Sequence, residues 1–168
     1  MVHFVEGNLL DSNVDFICHQ VNCQGAMRSG IAKAIRDKWP KVYNEYMDWY
    51  KDWERRADDL GASYEDGGPT GSELMLGQTQ FVEIENNQVV VNMAAQQHYG
   101  YDGRRYTSYD AFWSCLGAIK DYVPHGFSIG FPDHIGSLRG GANWNVIKTM
   151  IEEVLGSDYE VYIYKLEV

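Results

Sequence analysis

Apolar and polar positions follow two different periods along the chain, which is typical of strands that alternate with helices. Short apolar or alternating runs predict six strands, and longer stretches with apolar residues at three- and four-residue steps predict helices. The predicted strands cover residues 2–5, 14–21, 78–85, 88–93, 127–131 and 160–166. The predicted helices cover residues 29–39, a segment from Pro40 onward, a segment capped by Thr107 or Ser108, and residues 143–156.

This order of elements predicts an α/β layered domain in which helices cover a mostly parallel sheet. Asn86-Asn87 suits a tight turn between two of the strands. Residues 1–168 have the length of a single domain. Residues 57–77 lack periodicity and are rich in glycine, so they predict an irregular, exposed excursion.

Charge and cysteine content narrow the classes of protein. The chain has 14 basic and 24 acidic residues, for a net charge of −10. This balance argues against a protein that grips the phosphates of duplex nucleic acid, although backbone amides can still bind a small anion. Three cysteines are too few for a disulfide scaffold, and neither a leader sequence nor a membrane span is recognisable. A cytoplasmic protein, bacterial or from a phage-infected host, fits best.

Two loops rich in glycine stand out because each follows a predicted strand and leads into a predicted helix. The first begins His19-Gln-Val-Asn-Cys-Gln-Gly and the second contains Ile135-Gly-Ser-Leu-Arg-Gly-Gly. Glycine permits positive φ and close approach, so successive amides can converge on an anion at a helix N-terminus. Two such loops on one sheet predict that a diphosphate is held between them. Neither loop has the spacing of a P-loop or of a Rossmann fingerprint.

These two loops, together with Glu6-Gly-Asn-Leu near the start, resemble a macro domain in order and spacing. The likeness covers essentially the whole chain and is strongest to the Appr-1″-p processing branch, found in phages and fungi. The resemblance implies a three-layer α/β/α sandwich with ADP-ribose, or its 1″-phosphate, in a cleft at the strand ends.

The resemblance also implies roles for individual residues. Asn8 and Leu9 would lie at the adenine, although many macro domains have aspartate where Asn8 stands, and Asn22 would hydrogen-bond the distal ribose. The remaining ligand contacts would come from the two loops. In the first loop they are Gly25, Met27, Ser29, Gly30, Ile31 and Ala32. In the second loop they are Ile135, Gly136, Ser137, Leu138, Arg139, Gly140 and Gly141.

The chemistry that we expect first is hydrolysis of the terminal phosphate of ADP-ribose-1″-phosphate. Imidazole transfers protons near neutral pH, and fungal members of the branch carry a proposed catalytic histidine at the place of His19. They pair it with an aspartate from the loop after the fourth strand, where Asp102 is the best match and His98 is a rival candidate. Histidines and cysteines have no metal-ligand spacing, so we expect no metal and no cofactor.

Two alternatives remain open at this stage. One is a glycohydrolase that removes ADP-ribose from modified protein or DNA; one branch of this kind uses a lysine after the fourth strand, where this chain has Gln96-Gln97. The other is a module that binds ADP-ribose without chemistry. Cys23 is a weaker candidate, as a nucleophile near a helix N-terminus. Arg28 and Arg139 are candidate phosphate contacts, and Tyr99 and Tyr101 are candidates to close over the ligand.

Overall fold

A six-stranded sheet forms the centre of the protein. The computed structural model describes residues 1–166, and the last two positions of the predicted domain lie outside them. The strands are β1 (Val2–Glu6), β2 (Phe16–Asn22), β3 (Thr79–Glu83), β4 (Val89–Gln96), β5 (Ser128–Pro132) and β6 (Glu160–Lys165). Their order across the sheet is β1-β6-β5-β2-β4-β3. The β3–β4 pair is antiparallel and the other pairs are parallel, as predicted.

Helices cover both faces of the sheet, which confirms the predicted three-layer sandwich. They are α1 (Gly30–Lys38), α2 (Pro40–Gly61), α3 (Gly71–Met75), α4 (Tyr109–Tyr122) and α5 (Trp144–Leu155). One face packs against α4 and α5 through residues such as Phe112 and Ile147. The other packs against α1 and α2 through residues such as Ile35 and Tyr46. Because both faces are covered, β2 and β4 are buried along almost their whole length, including the polar side chains of His19 and Asn92.

Local signals at the ends of elements agree with the structure. Asn86 and Asn87 have φ of 58° and 60°, the left-handed pair that a tight hairpin turn requires. The Ser108 side chain accepts a hydrogen bond from the Ala111 amide at 3.1 Å, and so caps α4. The Asn143 side chain likewise accepts from the Asn145 amide at 2.9 Å at the start of α5.

The excursion predicted at residues 57–77 is shorter in the structure. Helix α2 continues to Gly61, and Gly71–Met75 forms the short helix α3, whose N-cap is Thr70. Met75 is fully buried and anchors this helix to the core. Within the predicted range, the residues outside helices are therefore 62–70 and 76–77. Among the described residues, no helix combines the length and apolar character needed to cross a membrane.

Candidate functional site

The two loops rich in glycine face each other across one cleft. Strands β2 and β5 are parallel neighbours, so their carboxyl ends meet at the same edge of the sheet. The first loop connects β2 to α1, and the second connects β5 to α5. The cleft between them has a volume of about 450 Å³, within the range of small-molecule sites. Ten of the predicted ligand residues line it: Asn22, Ser29, Gly30, Ile31, Ala32, Ile135, Gly136, Leu138, Arg139 and Gly140.

The other predicted ligand residues do not line the cleft. Leu9 is buried and packs in the space left by Gly130, while the Asn8 Oδ1 atom caps its own turn by accepting from the Leu10 amide at 3.0 Å. Met27 is fully buried in the core beneath the first loop. Gly25 lies under the ring of Tyr50. Ser137 and Gly141 belong to the second loop but are not among the residues that line the cleft.

The first loop is held in shape by the side chain of Asn22. Its Oδ1 atom accepts from the Gln24 amide at 3.0 Å, and its Nδ2 atom donates to the Ala26 carbonyl at 2.9 Å. The buried Tyr46 hydroxyl on α2 donates to the Asn22 carbonyl at 2.7 Å and lies 3.0 Å from Oδ1. Asn22 lies at the cleft, as expected for a ribose contact, and it also organises the loop that carries the amides.

Changing Tyr46 to phenylalanine tests this support. We expect the free energy of unfolding to fall by about 1 kcal/mol, because a buried hydrogen bond is lost. We also expect faster hydrogen exchange at the amides of Gln24 and Ala26. Tyr43→Phe is the matched control on the same helix, since the Tyr43 hydroxyl has no hydrogen-bond partner among residues 1–166. Equal exchange rates in the two variants would contradict a bracing role for Tyr46.

The second loop is held by the segment that precedes α4. The Gly140 carbonyl accepts from the amides of Tyr106 at 2.8 Å and Thr107 at 3.0 Å. The Thr107 hydroxyl donates to the Gly136 carbonyl at 2.8 Å and accepts from Gln20 Nε2 at 2.8 Å. Gly136 has φ of +73°, and a Cβ atom there would lie 2.9 Å from Gln20 Oε1. The left-handed conformation therefore favours glycine at this position, and a larger residue would also displace the Gln20 side chain.

A third wall of the cleft comes from the loop between β4 and α4. Gln96, Tyr99, Gly100 and Tyr101 line it. The Arg139 guanidinium lies 4.6 Å from the ring centroid of Tyr101, so the second and third loops meet over the cleft through a cation–π contact. Arg28 lines the cleft from the first loop. Two cationic side chains therefore approach the same space from opposite walls.

The structure places His19, the residue predicted to transfer protons, in the buried part of β2 and not among the residues that line the cleft. Its side chain is fully buried, and Nε2 lies 2.5 Å from Asn92 Oδ1 on the neighbouring strand β4. Burial lowers the pKa of His19 from 6.5 to about 4, while the bond to Asn92 opposes this shift. Asn92 in turn donates to Gln80 on β3 at 2.9 Å. His19 thus belongs to a buried polar row across three strands.

Asp102, the predicted partner of His19, makes its hydrogen bonds within its own loop. Its exposed carboxylate accepts from the Tyr106 hydroxyl at 2.7 Å and from the Arg104 amide at 3.1 Å. The hydrogen bond from Tyr106 lowers the pKa of Asp102. The rival candidate His98 is exposed and is not part of the cleft lining. Among the described residues, no hydrogen bond joins the buried His19 to the exposed Asp102 carboxylate.

Cys23 is also unsuited to the role of nucleophile. The thiol is buried, and burial raises its pKa from 9.0 to about 12. A thiol with this pKa stays protonated near neutral pH, and the thiolate is the reactive form. The described residues contain no group of three or more histidine, cysteine, aspartate or glutamate side chains placed to bind a metal ion.

Sequence reasoning missed four polar residues of the cleft: Gln20, Gln96, Asp133 and His134. Each lies at or just after the carboxyl end of a parallel strand, which is the signal that could have found them. Asp133 and His134 follow β5 directly, and His134 Nδ1 lies 2.7 Å from Asp133 Oδ2. His134 has φ of +59°, and its ring stacks on Trp144 with centroids 5.0 Å apart.

Comparisons with known proteins were made by sequence and by structure. No protein-family model matches the sequence. A relative from Thermus aquaticus, named DNA ADP-ribosyl glycohydrolase, is 26% identical over 168 residues, which are 98% of this chain and 41% of that protein. The chain therefore spans about two fifths of the length of this curated relative.

Several solved structures share the fold over nearly the whole chain. A protein of unknown function from Bacteroides thetaiotaomicron has a TM-score of 0.78 and 27% identity, with 98% of each chain covered. A macrodomain protein from Streptomyces coelicolor has a TM-score of 0.71 and 25% identity, again with 98% of each chain covered. DarTG from Thermosipho africanus, solved in complex with ADP-ribose, has a TM-score of 0.73 and 18% identity, covering 98% of this chain and 41% of that one. This chain therefore has the macrodomain fold.

Proposed function

We propose that this chain binds ADP-ribose and hydrolyses the bond between its distal ribose and an attached group. The observation that carries the proposal is the cleft of about 450 Å³ walled on opposite sides by two loops rich in glycine. Each loop leads into a helix N-terminus, where amides and the helix field favour a phosphate. The DarTG relative, which shares the fold, was solved with ADP-ribose.

Arginines on both walls support a negatively charged ligand. Arg28 lines the cleft on the first loop and Arg139 on the second. Both side chains are exposed in a protein whose net charge is −10, so they are local exceptions to its acidic surface. A diphosphate between them would receive charge-assisted hydrogen bonds in addition to those of the loop amides.

For the attached group, we propose DNA as the first candidate. The Thermus aquaticus relative is named for this substrate, and it matches nearly the whole of this chain. Arg104 and Arg105 lie beside the second loop, because a Cβ atom on Gly141 would be 2.7 Å from the Arg104 carbonyl oxygen and 3.0 Å from the Arg105 Cα atom. With Arg139 they make a group of exposed loop cations near the cleft, in which Arg104 is paired with the Asp102 carboxylate at 3.3 Å and Arg105 lies over the ring of Tyr109. Such a group attracts a phosphate backbone locally even though the whole chain is acidic.

The reaction would not use the lysine chemistry of the branch mentioned above. Strand β4 ends at Gln96, and this amide lines the cleft where that branch has its lysine. The lining residues include no lysine. Gln20 and Gln96 are hydrogen-bonded to each other at 2.7 Å, and they supply amide groups that can hold a water molecule beside the ligand.

ADP-ribose-1″-phosphate is the second candidate substrate. Hydrolysis of a phosphate monoester depends mainly on positioning and on stabilising negative charge, and the loops and arginines offer both. The resemblance to the Appr-1″-p processing branch supports this candidate. The acid–base pair expected for this reaction was His19 and Asp102, and neither residue is among those that line the cleft.

One experiment separates the candidates. The purified protein is incubated in chelator with ADP-ribosylated single-stranded DNA, with ADP-ribosylated protein and with ADP-ribose-1″-phosphate, and the released ADP-ribose is measured by chromatography. We expect release from the DNA substrate. Release only from the 1″-phosphate would favour the phosphatase, and release only from protein would favour a protein glycohydrolase. Binding of ADP-ribose without any release would reduce the proposal to a binding module.

A further inference from the structure

A second groove, with a volume of about 440 Å³, lies on the other side of the third loop from the cleft. Gln96 lines the cleft, and the next residue along the chain, Gln97, lines the second groove. The Gly140 carbonyl, in the wall of the cleft, accepts from the amides of Tyr106 and Thr107, which line the second groove. The third loop therefore forms a common wall between the two cavities.

The lining of the second groove combines flat groups with hydrogen-bonding groups. The Arg105 guanidinium lies over the ring of Tyr109, 4.6 Å from its centroid, and both residues line the groove. Arg105 is exposed, so the outer face of its guanidinium is open to another flat group. Nucleobases stack on guanidinium planes as they do on aromatic rings. Gln97 and His98 also line the groove and offer hydrogen-bonding groups to the edge of a base.

The charges of the second groove favour a base over a phosphate at its centre. Asp110, in the first turn of α4, lines the groove, and its carboxylate would repel a phosphate placed beside it. A carboxylate accepts hydrogen bonds from the amino group of a base instead. Arg105 can still neutralise one phosphate of the same strand. The groove therefore suits a nucleotide whose base points inward and whose backbone stays outside.

The place of the second groove beside the cleft suits a strand that continues beyond the modified nucleotide. Asn22, the expected contact of the distal ribose, pairs with Gln96 in the sheet. A group attached to that ribose would therefore leave the cleft beside the third loop. The rings of Tyr99 and Tyr101 on this loop are 45% and 70% exposed, so the strand would cross an aromatic surface. The second groove begins on the far side of the loop at Gln97.

We infer that the second groove binds a base of single-stranded DNA next to the modified nucleotide, with the Arg105 guanidinium between that base and the ring of Tyr109. The inference rests on the proposed function, since it takes ADP-ribosylated DNA as the substrate. A single strand is required, because the faces of the bases are covered by their neighbours in a duplex. The protein therefore contacts more of the strand than the nucleotide from which it releases ADP-ribose.

The test compares two substrates that carry the same ADP-ribose group. One is a single-stranded oligonucleotide of about ten nucleotides, and the other is the modified mononucleotide. We expect the wild type to have a kcat/KM at least about fivefold higher for the oligonucleotide, because one stacked base contributes a factor of this size or more. Arg105→Ala should reduce this preference to within about twofold of unity, by lowering kcat/KM for the oligonucleotide.

Arg56→Ala is the corresponding change away from both cavities. Arg56 is an exposed residue of α2 whose guanidinium lies 4.7 Å from the ring centroid of Trp53. The change therefore also removes one cation from the face of an aromatic ring, and it should keep the wild-type preference. If Arg105→Ala keeps the preference as well, or if the wild type cleaves both substrates equally, the inference is overturned.

A binding measurement separates this inference from the proposed function, because it needs no hydrolysis. Fluorescence anisotropy is measured with a labelled, unmodified oligonucleotide of the same length. We expect Arg105→Ala to bind it at least about fivefold more weakly than the wild type, and Arg56→Ala to bind it equally. If the wild type releases ADP-ribose from neither substrate, the proposed hydrolysis of DNA adducts fails. The inference then stands if Arg105→Ala shows the weaker binding, and it is overturned if Arg105→Ala binds as tightly as the wild type.

Discussion

Replacing Gly30 with valine is expected to weaken ADP-ribose binding by at least about 100-fold, equivalent to about 2.7 kcal/mol. Gly30 is the first residue of α1 and lines the cleft. A Cβ atom there would meet nothing within 4 Å, so the side chain would extend into open space beside the amides of the first loop. Its φ of +58° is also a left-handed conformation that a β-branched residue adopts poorly. Calorimetric titration with ADP-ribose measures the change.

Gly126→Val is the matched control for this prediction. Gly126 has φ of +94° and also has nothing within 4 Å of a Cβ atom, but it lies before β5 at the opposite end of the strand. Both variants should lose similar conformational stability, about 1–2 kcal/mol in thermal or chemical unfolding. Only Gly30→Val should lose affinity. Unchanged binding by a folded Gly30→Val protein would show that the ligand does not lie against the first loop.

Acid is expected to destabilise the protein through His19. The pKa of His19 is about 4 in the folded state, against 6.5 for an unperturbed histidine in the unfolded chain, because burial disfavours the charged form. Between these values the unfolded chain binds a proton that the folded chain refuses. The contribution is therefore present in full above about pH 6.5, is lost as the pH falls toward 4, and amounts to about 3 kcal/mol. Chemical denaturation at a series of pH values measures it.

His19→Gln isolates this effect, because the amide can still reach Asn92 but does not titrate. The free energy of unfolding of the variant should fall less steeply between pH 6.5 and 4 than that of the wild type. His125→Gln should keep the wild-type slope, since His125 is exposed. His19→Gln should also retain at least about half of the wild-type hydrolysis rate at neutral pH. A loss of hydrolysis with normal stability would restore His19 as a catalytic residue and contradict the location argument.

The positions of the two ligand loops followed from local patterns in the sequence. The apolar runs of strand length end at Val21 and Phe131, and each is followed by glycines and a helix pattern. Parallel strands bring their carboxyl ends to one edge, so the two loops had to lie on the same side of the sheet. The cleft between Gly30 and Gly136 could be predicted on this basis.

Strand register and side-chain packing decide why some of the predicted site residues do not line the cleft. His19 lies near the end of β2 and matches the place of a proposed catalytic histidine in fungal relatives, but in the sheet it pairs with Asn92 and its side chain is fully buried. The turn after β1 carries Asn8 and Leu9 near the strand ends, yet Leu9 fills the space left by Gly130. A sequence shows which residues follow a strand, but not which of them packs inward.

Hydrophobic periodicity and the placement of glycine are patterns of a few residues. They were sufficient to predict the α/β layers, the turn at Asn86-Asn87 and the two loops rich in glycine. The polar lining of the cleft required contacts between residues far apart in the chain. Thr107 supports Gly136 across 29 positions, and Trp144 backs His134 only because α5 returns beside the end of β5. Side-chain roles at the site therefore come from long-range packing, because burial and partners are properties of the folded chain and not of any local segment.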